Sequence, residues 1–140
     1  MMIVEVMEAE LEAAVALWER CGLTRPWNDP RADIALAMRS TDAEVLVGHV
    51  DGAIAATVVV GFDGHRGWVY YLAVAPDVQR GGLGRRMMAA AEARLTARGA
   101  PKIQLMVREE NAGVAAFYER LGYELQPTKV FGKWLPRTEK

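Results

Sequence analysis

Apolar residues recur along this chain with two periods, and each change of period marks an element. Met2 to Met7 is apolar and β-prone, which predicts a first strand. From Glu10 to Arg20 the apolar positions Leu11, Ala14, Val15 and Trp18 follow helical spacing, and Gly22 closes that helix. After the loop Thr24-Arg25-Pro26-Trp27-Asn28, Asp29 and Pro30 read as an N-cap and a proline at the first helical position. They open a second helix that runs to about Arg39. Glu44–Val50 and Ala53–Phe62 are β-rich runs joined by Asp51-Gly52, two residues that tolerate positive φ and so predict a hairpin. The turn Asp63-Gly64-His65-Arg66-Gly67 leads into a third antiparallel strand, Trp68–Val74, which Pro76 ends. Beyond a glycine-rich turn, Leu83, Met87, Ala90, Ala91 and Leu95 share one face of a helix from Leu83 to Arg98, stopped by Gly99 and Pro101. Lys102–Val107 is the next strand; strand, long helix and strand in that order predict a parallel pair. A helix from Asn111 to Leu121, closed by Gly122, precedes two further expected strands, Tyr123–Leu125 and Lys129–Leu135. The order predicts a mixed α/β (α+β) sheet flanked by helices, in a single domain over residues 1–140.

Composition narrows the function. Hydrophobic residues make up 51% of the 140 and charged residues 25%, the balance of a globular protein with a real core. The net charge of −1 lacks the basic surplus of a nucleic-acid binder and the polybasic patch of a membrane-surface protein. Cys21 is the one cysteine, so neither an internal disulfide nor a multi-cysteine zinc site is expected. His49 has no partner at ligand spacing, and no metal is expected. The start of the chain carries Glu5, Glu8, Glu10 and Glu12 rather than the basic, then apolar, pattern of a signal peptide. The longest apolar run, Ala53 to Val60, is far too short to span a bilayer. A cytoplasmic protein is the expectation.

Candidate chemistry centres on Gln79-Arg80-Gly81-Gly82-Leu83-Gly84, between a strand and a helix. Glycines let a ligand approach the backbone, and the unpaired N–H groups of a helix's first turn bind phosphate oxygens. Arg80, Arg85 and Arg86 add positive charge. The same residues also suit a plain strand-to-helix turn with solvated arginines. The nucleoside-triphosphate loop requires Gly-Lys-Ser/Thr, which is absent, and the dinucleotide fingerprint requires a further glycine where Met87 stands.

The stretch Tyr71-Leu72-Ala73-Val74-Ala75-Pro76-Asp77-Val78-Gln79-Arg80-Gly81-Gly82-Leu83-Gly84 resembles the acetyl-CoA signature of the GNAT superfamily of N-acetyltransferases, Gln/Arg-x-x-Gly-x-Gly/Ala after a strand ending in Val. Asn111 with Ala116-Phe117-Tyr118-Glu119-Arg120-Leu121-Gly122-Tyr123 resembles that family's second block. Leu17-Trp18-Glu19-Arg20-Cys21, Arg25-Pro26-Trp27-Asn28-Asp29-Pro30 and Asp63-Gly64-His65-Arg66-Gly67 are similar to the bacterial YpeA subgroup. The resemblance implies a mostly antiparallel sheet splayed between its fourth and fifth strands, with the thioester of acetyl-CoA in the opening. It implies that Gln79, Arg80, Gly81, Gly82, Leu83, Gly84 and Arg85 hold the pyrophosphate. Leu72, Ala73 and Val74 would bond the pantetheine arm as an added strand. The implied reaction is direct attack of an amine, from a small molecule or a protein, on the thioester. Members of the family often form homodimers.

The same resemblance makes Tyr118 the general acid for the leaving thiolate and a cofactor contact. The spacing of Val114, Phe117, Tyr118 and Leu121 equally fits a core stripe. Asn111 is a cofactor contact, an N-cap, or both. The base is the departure from the pattern. Met106 stands where some relatives carry Glu, which leaves Asp63, His65 and Glu109 as base candidates, or an amine that arrives neutral. Trp27, Trp68 and Tyr70 are candidate walls of the acceptor site, with packing as the alternative for each. A non-catalytic acyl-CoA sensor is the competing reading; it keeps the glycine turn and needs neither acid nor base.

Overall fold

A computed structural model describes residues 1–136, the Arg80 side chain excepted; residues 137–140 of the expected domain, and that side chain, lie outside the described residues. Contacts divide the chain into two compact units, Met1–Met106 and Val107–Lys140.

The first unit holds a five-stranded sheet in chain order: β1 (Met2–Glu5), β2 (Ala43–Val50), β3 (Ala53–Phe62), β4 (Gly67–Val74) and β5 (Ile103–Gln104). The first four strands pair antiparallel, and β4 pairs β5 parallel, as the intervening helix requires. The β2–β3 turn takes positive φ at both Asp51 (52°) and Gly52 (81°), the geometry that matches strand twist.

Helices α1 (Leu11–Arg20) and α2 (Pro30–Arg39) cover one face, and α3 (Leu83–Ala97) covers the other. Ala14, Val15, Leu17 and Trp18 of α1 and Ile34 of α2 are wholly buried against Val45, Val59, Ala73 and Ala75 of the sheet. The opposite face of the sheet meets Leu83, Met87, Met88, Ala91 and Leu95 of α3, all buried. Asp29 caps α2 as its sequence predicts: Oδ1 accepts from the N–H groups of Arg31 (3.0 Å) and Ala32 (3.3 Å). Such a cap contributes about 1 kcal/mol. Outside the α3 layer, Arg94 and Arg98 clamp the helix to β2 through Glu44, at 2.9 and 3.2 Å. Among the described residues no helix is long and apolar enough to cross a membrane.

In the second unit α4 spans Ala112–Arg120, and Gly122 with φ of 96° ends it. The expected strands Tyr123–Leu125 and Lys129–Leu135 do not form, and the strand expected over Lys102–Val107 is reduced to Ile103–Gln104. β-propensity produces a strand only where an edge pairs with it. The described residues beyond α4 have no such ladder.

At Gly67 a side chain of α3 lies directly against the sheet backbone. A Cβ there would lie 2.5 Å from Leu95 Cδ1 and 2.7 Å from Cδ2. Leu95 is 2% exposed and has no room to move away. Gly67→Ala is expected to destabilise the protein by about 1–3 kcal/mol in urea unfolding. Leu95→Ala in the same chain should recover part of that loss, and strictly additive effects would place the clash elsewhere.

Candidate active site

Strand β4 breaks its own register. Thr57 pairs with Ala73 and Val59 with Tyr70, so Tyr71 and Leu72 together oppose Val58. This is a bulge, with one extra residue in β4. Tyr71 takes a left-handed backbone, φ 54°, in the middle of a strand. A bulky side chain avoids that region, at a cost of about 1–3 kcal/mol. Three contacts hold it there. The Tyr71 ring stacks on Trp18 with centroids 3.7 Å apart and planes 4° from parallel. Its hydroxyl donates to Asp33 Oδ2 at 2.7 Å. Its carbonyl accepts from the Thr57 hydroxyl at 2.9 Å, while Thr57 Oγ1 accepts from Trp18 Nε1–H at 2.9 Å. Thr57 is wholly buried and both of its hydrogen-bonding roles are filled. Burial and the Asp33 carboxylate push the Tyr71 phenol well above its ordinary pKa. The sequence reading assigned no role to Thr57 or Asp33. The signals available were one hydroxyl within the apolar run of β3 and two adjacent tyrosines in β4.

Past the bulge, β4 has a free edge. Its pairing with β5 covers Gly67 with Ile103 and Trp68 with Gln104, and stops. Ala75 N–H bonds to Ala55 O on β3 at 2.8 Å. By the alternation of an antiparallel strand, Leu72 and Val74 therefore turn their N–H and C=O groups to the opposite, open side. The Val74 carbonyl accepts from Gln79 Nε2 (3.0 Å) and Cys21 Sγ (3.3 Å). The β4–β5 pairing thus ends short of Leu72–Val74, where the splay between fourth and fifth strands is expected.

The chain then runs through a short 3-10 turn, Pro76–Gly81, into α3. Gly82 is the N-cap residue, left-handed at φ 77°, and no side chain caps the helix. A Cβ on Gly81 or Gly82 would meet nothing within 4 Å, so the approach to this helix end is open. No acidic residue stands in the first turn, and Arg85 and Arg86 are exposed beside it, with Arg86 bonded to the Met1 carbonyl. The first-turn N–H groups have no acceptor within the helix. An open, unfilled, acid-free helix start suits a diphosphate.

Two of the aromatic candidates gather with Asp63 at the start of β4. Trp68 and Tyr70 lie two apart on the strand and so share a face. Tyr70 is half exposed, and burial, then the Asp63 charge, raises its pKa. Asp63 Oδ1 accepts from the N–H groups of His65 and Arg66, both at 2.8 Å. Those bonds, the Arg66 one foremost, hold its carboxyl below the usual range, so it is a carboxylate at neutral pH and a weak proton acceptor. His65 is exposed in the same turn, and Trp27 is exposed on the α1–α2 connection. Met106 is half exposed. His49 pairs with Glu10 at 2.6 Å. Among the described residues no group of three or more His, Cys, Asp or Glu is set to hold a metal ion.

In the second unit, Asn111 occupies the N-cap position of α4, but its side chain makes no capping bond and is exposed. Glu109 is exposed in the preceding turn. Tyr118 is 9% exposed and meets Phe117 and Tyr123 edge-on, at 5.1 and 5.7 Å between centroids. Burial raises its phenol to about 12.

A bulged strand with an unpaired edge thus leads into a glycine-led helix start. The sequence matches the acetyltransferase (GNAT) family over residues 3–123, and the chain belongs to that family. It is 44% identical to an acetyltransferase of Yersinia enterocolitica over 128 residues, 91% of each chain. The ribosomal-protein-S18-alanine N-acetyltransferase of Escherichia coli superposes with a TM-score of 0.75 at 28% identity, covering 86% of this chain and 76% of that one. The aminoglycoside enzyme AAC(6′)-Iy, in complex with a CoA-based bisubstrate analogue, superposes with a TM-score of 0.81 at 15% identity, covering 96% and 98%. At that identity the likeness is one of fold.

The Tyr118 shift carries a sign. Its folded pKa lies above the ordinary 10, so its contribution to stability is complete below pH 10 and is lost as pH rises towards 12. Tyr118→Phe should flatten the fall in unfolding free energy between pH 9 and 11.5, measured by urea titration. Equal slopes in the two proteins would mean that this phenol is not buried.

Proposed function

We propose that the protein is an N-acetyltransferase that moves the acetyl group of acetyl-CoA to an amine. The observation that carries this reading is the free β4 edge at Leu72–Val74 leading directly into the open, glycine-led start of α3. The first suits an amide-containing arm and the second an anionic diphosphate, in the order in which CoA presents them. Of the expected Leu72, Ala73 and Val74, the outward-turned backbone groups of Leu72 and Val74 bind the pantetheine, while Ala73 faces β3. The backbone from Gln79 to Gly84, with Arg80 and Arg85, binds the pyrophosphate, and Asn111 supplies an amide free of capping duty.

Bound acetyl-CoA supplies an activated acyl group and a thiolate leaving group. Tyr118, protonated throughout the neutral range, gives its hydroxyl proton to that sulfur. The amine must attack as the free base and shed one proton. Of the base candidates, Asp63 is a poor acceptor because its turn holds it ionised. His65 and Glu109 remain, with entry of an already neutral amine as the route that needs neither. Trp68 and Tyr70, with Trp27, form the aromatic side of the acceptor site. Met106 in place of a carboxylate favours a small amine over a protein N-terminus.

Acetyl-CoA at a hundredfold excess over Kd should stabilise the fold by about 2.7 kcal/mol, read as an upward shift in thermal unfolding. Gly82→Asp should abolish that shift, because it sets a carboxylate against the diphosphate. A shift retained in this variant would move the phosphate site elsewhere. In an acceptor panel of small amines, Tyr118→Phe should cut kcat by about a hundredfold while the Kd for CoA stays within a few-fold. Unchanged turnover would remove Tyr118 from the chemistry.

A further inference from the structure

We infer that Thr57, with Trp18, Tyr71 and Asp33, forms a positioning unit that fixes the β4 bulge and thereby aims the Leu72–Val74 edge at the pantetheine arm. The inference rests on the acetyl-CoA reading and deepens it. None of the four side chains need touch the cofactor; they act through the backbone.

Tyr71 and Asp51 are the described non-glycine residues with positive φ. Asp51 lies in a hairpin turn, where that backbone is ordinary, whereas Tyr71 lies inside a strand. A strained backbone persists where its surroundings over-determine it. Here the determinants close a ring. Trp18 N–H donates to Thr57, the Thr57 hydroxyl donates to the Tyr71 carbonyl, and the Tyr71 ring returns to stack on Trp18. In a regular ladder a backbone N–H of β3 would serve that carbonyl; in the bulge a side chain serves it, and the side chain is Thr57. Asp33 fixes the far end of the tyrosine from α2. Loss of the Thr57 hydroxyl leaves the buried Trp18 N–H and the part-buried Tyr71 carbonyl without this partner. Restoring regular pairing is then the cheapest repair, and it shifts Leu72 and Val74 out of phase with the open edge.

Thr57→Val keeps the shape and removes both hydrogen bonds; Thr57→Ser keeps the bonds and removes a methyl. Titration calorimetry, well below the unfolding temperature of each variant, would use acetyl-CoA and adenosine 3′-phosphate 5′-diphosphate, which has the diphosphate but no pantetheine. The expected result for Thr57→Val is acetyl-CoA binding weakened about tenfold or more, with the pantetheine-free nucleotide within twofold of wild type. Thr57→Ser should restore acetyl-CoA binding. In the unliganded protein, amide hydrogen exchange at Tyr71 and Leu72 should quicken in Thr57→Val and not in Thr57→Ser. Equal weakening of both ligands, or wild-type affinity for acetyl-CoA, would overturn the inference. If Thr57→Val does not fold, Tyr71→Phe and Asp33→Ala, which remove the donor and the acceptor of the outer bond, should each weaken acetyl-CoA selectively, and unchanged affinity in both would overturn it. Wild-type protein that binds neither ligand would instead sink the acetyl-CoA reading itself.

Discussion

A tyrosine held in a left-handed backbone in the middle of a strand needs a reason to stay there, and the Thr57 hydroxyl provides it. Thr57 satisfies an indole N–H and a displaced carbonyl at once, in a core that is otherwise apolar. Without that pair of hydrogen bonds, the buried indole N–H would be unpaired, at a cost of about 1–3 kcal/mol, and the part-buried carbonyl would lose its side-chain donor. With it, the strain at Tyr71 is tolerated and the β3–β4 ladder is interrupted at one place only. The break in register, the direction of the Leu72 and Val74 backbone and the approach to the glycine turn all follow from that one local compromise.

Electrostatics completes what the backbone begins. The start of α3 carries no acidic residue and no side-chain cap, so its N–H groups and partial positive charge remain available for an anion. Elsewhere the protein places its acids where they serve structure. Asp29 caps α2, Asp63 ties its turn, and Glu44 holds α3 to β2. The depressed pKa of Asp63 has the same origin as its structural usefulness: two N–H donors stabilise the charged form. A carboxylate bound so well by its own turn has little affinity left for a proton from an amine.

Much of the fold was legible in sequence because its signals are local. Asp51-Gly52 specifies its hairpin, Asp29-Pro30 starts its helix, and the apolar stripe of α3 names its buried face, with Met88 rather than Ala90 as the correction. The glycine-led start of α3 was legible too, since Gly81-Gly82 before an apolar helical stripe marks a strand-to-helix turn. The bulge was not predicted, because it depends on a contact between Trp18 and Thr57, 39 residues apart, and on the Tyr71 ring between them. Trp68–Val74 read as one uninterrupted strand up to Pro76, and the adjacent Tyr70 and Tyr71 were the one hint against it. The expected strands after α4 failed for the complementary reason: propensity was present and a pairing edge was not. The absence of a carboxylate at Met106 was visible in sequence, but which group replaces it is set by three-dimensional proximity to a substrate and has no sequence signature.

An unpaired strand edge is also a hazard, since exposed N–H and C=O groups in a row recruit other strands and seed aggregation. Here the edge is short, and its last carbonyl is occupied within the chain by the Gln79 amide and the Cys21 thiol. Gln79 belongs to the short turn before α3, so the turn that leaves the helix start open also fills the last carbonyl of the edge. An invading strand therefore meets an edge whose last acceptor is already filled from within the chain.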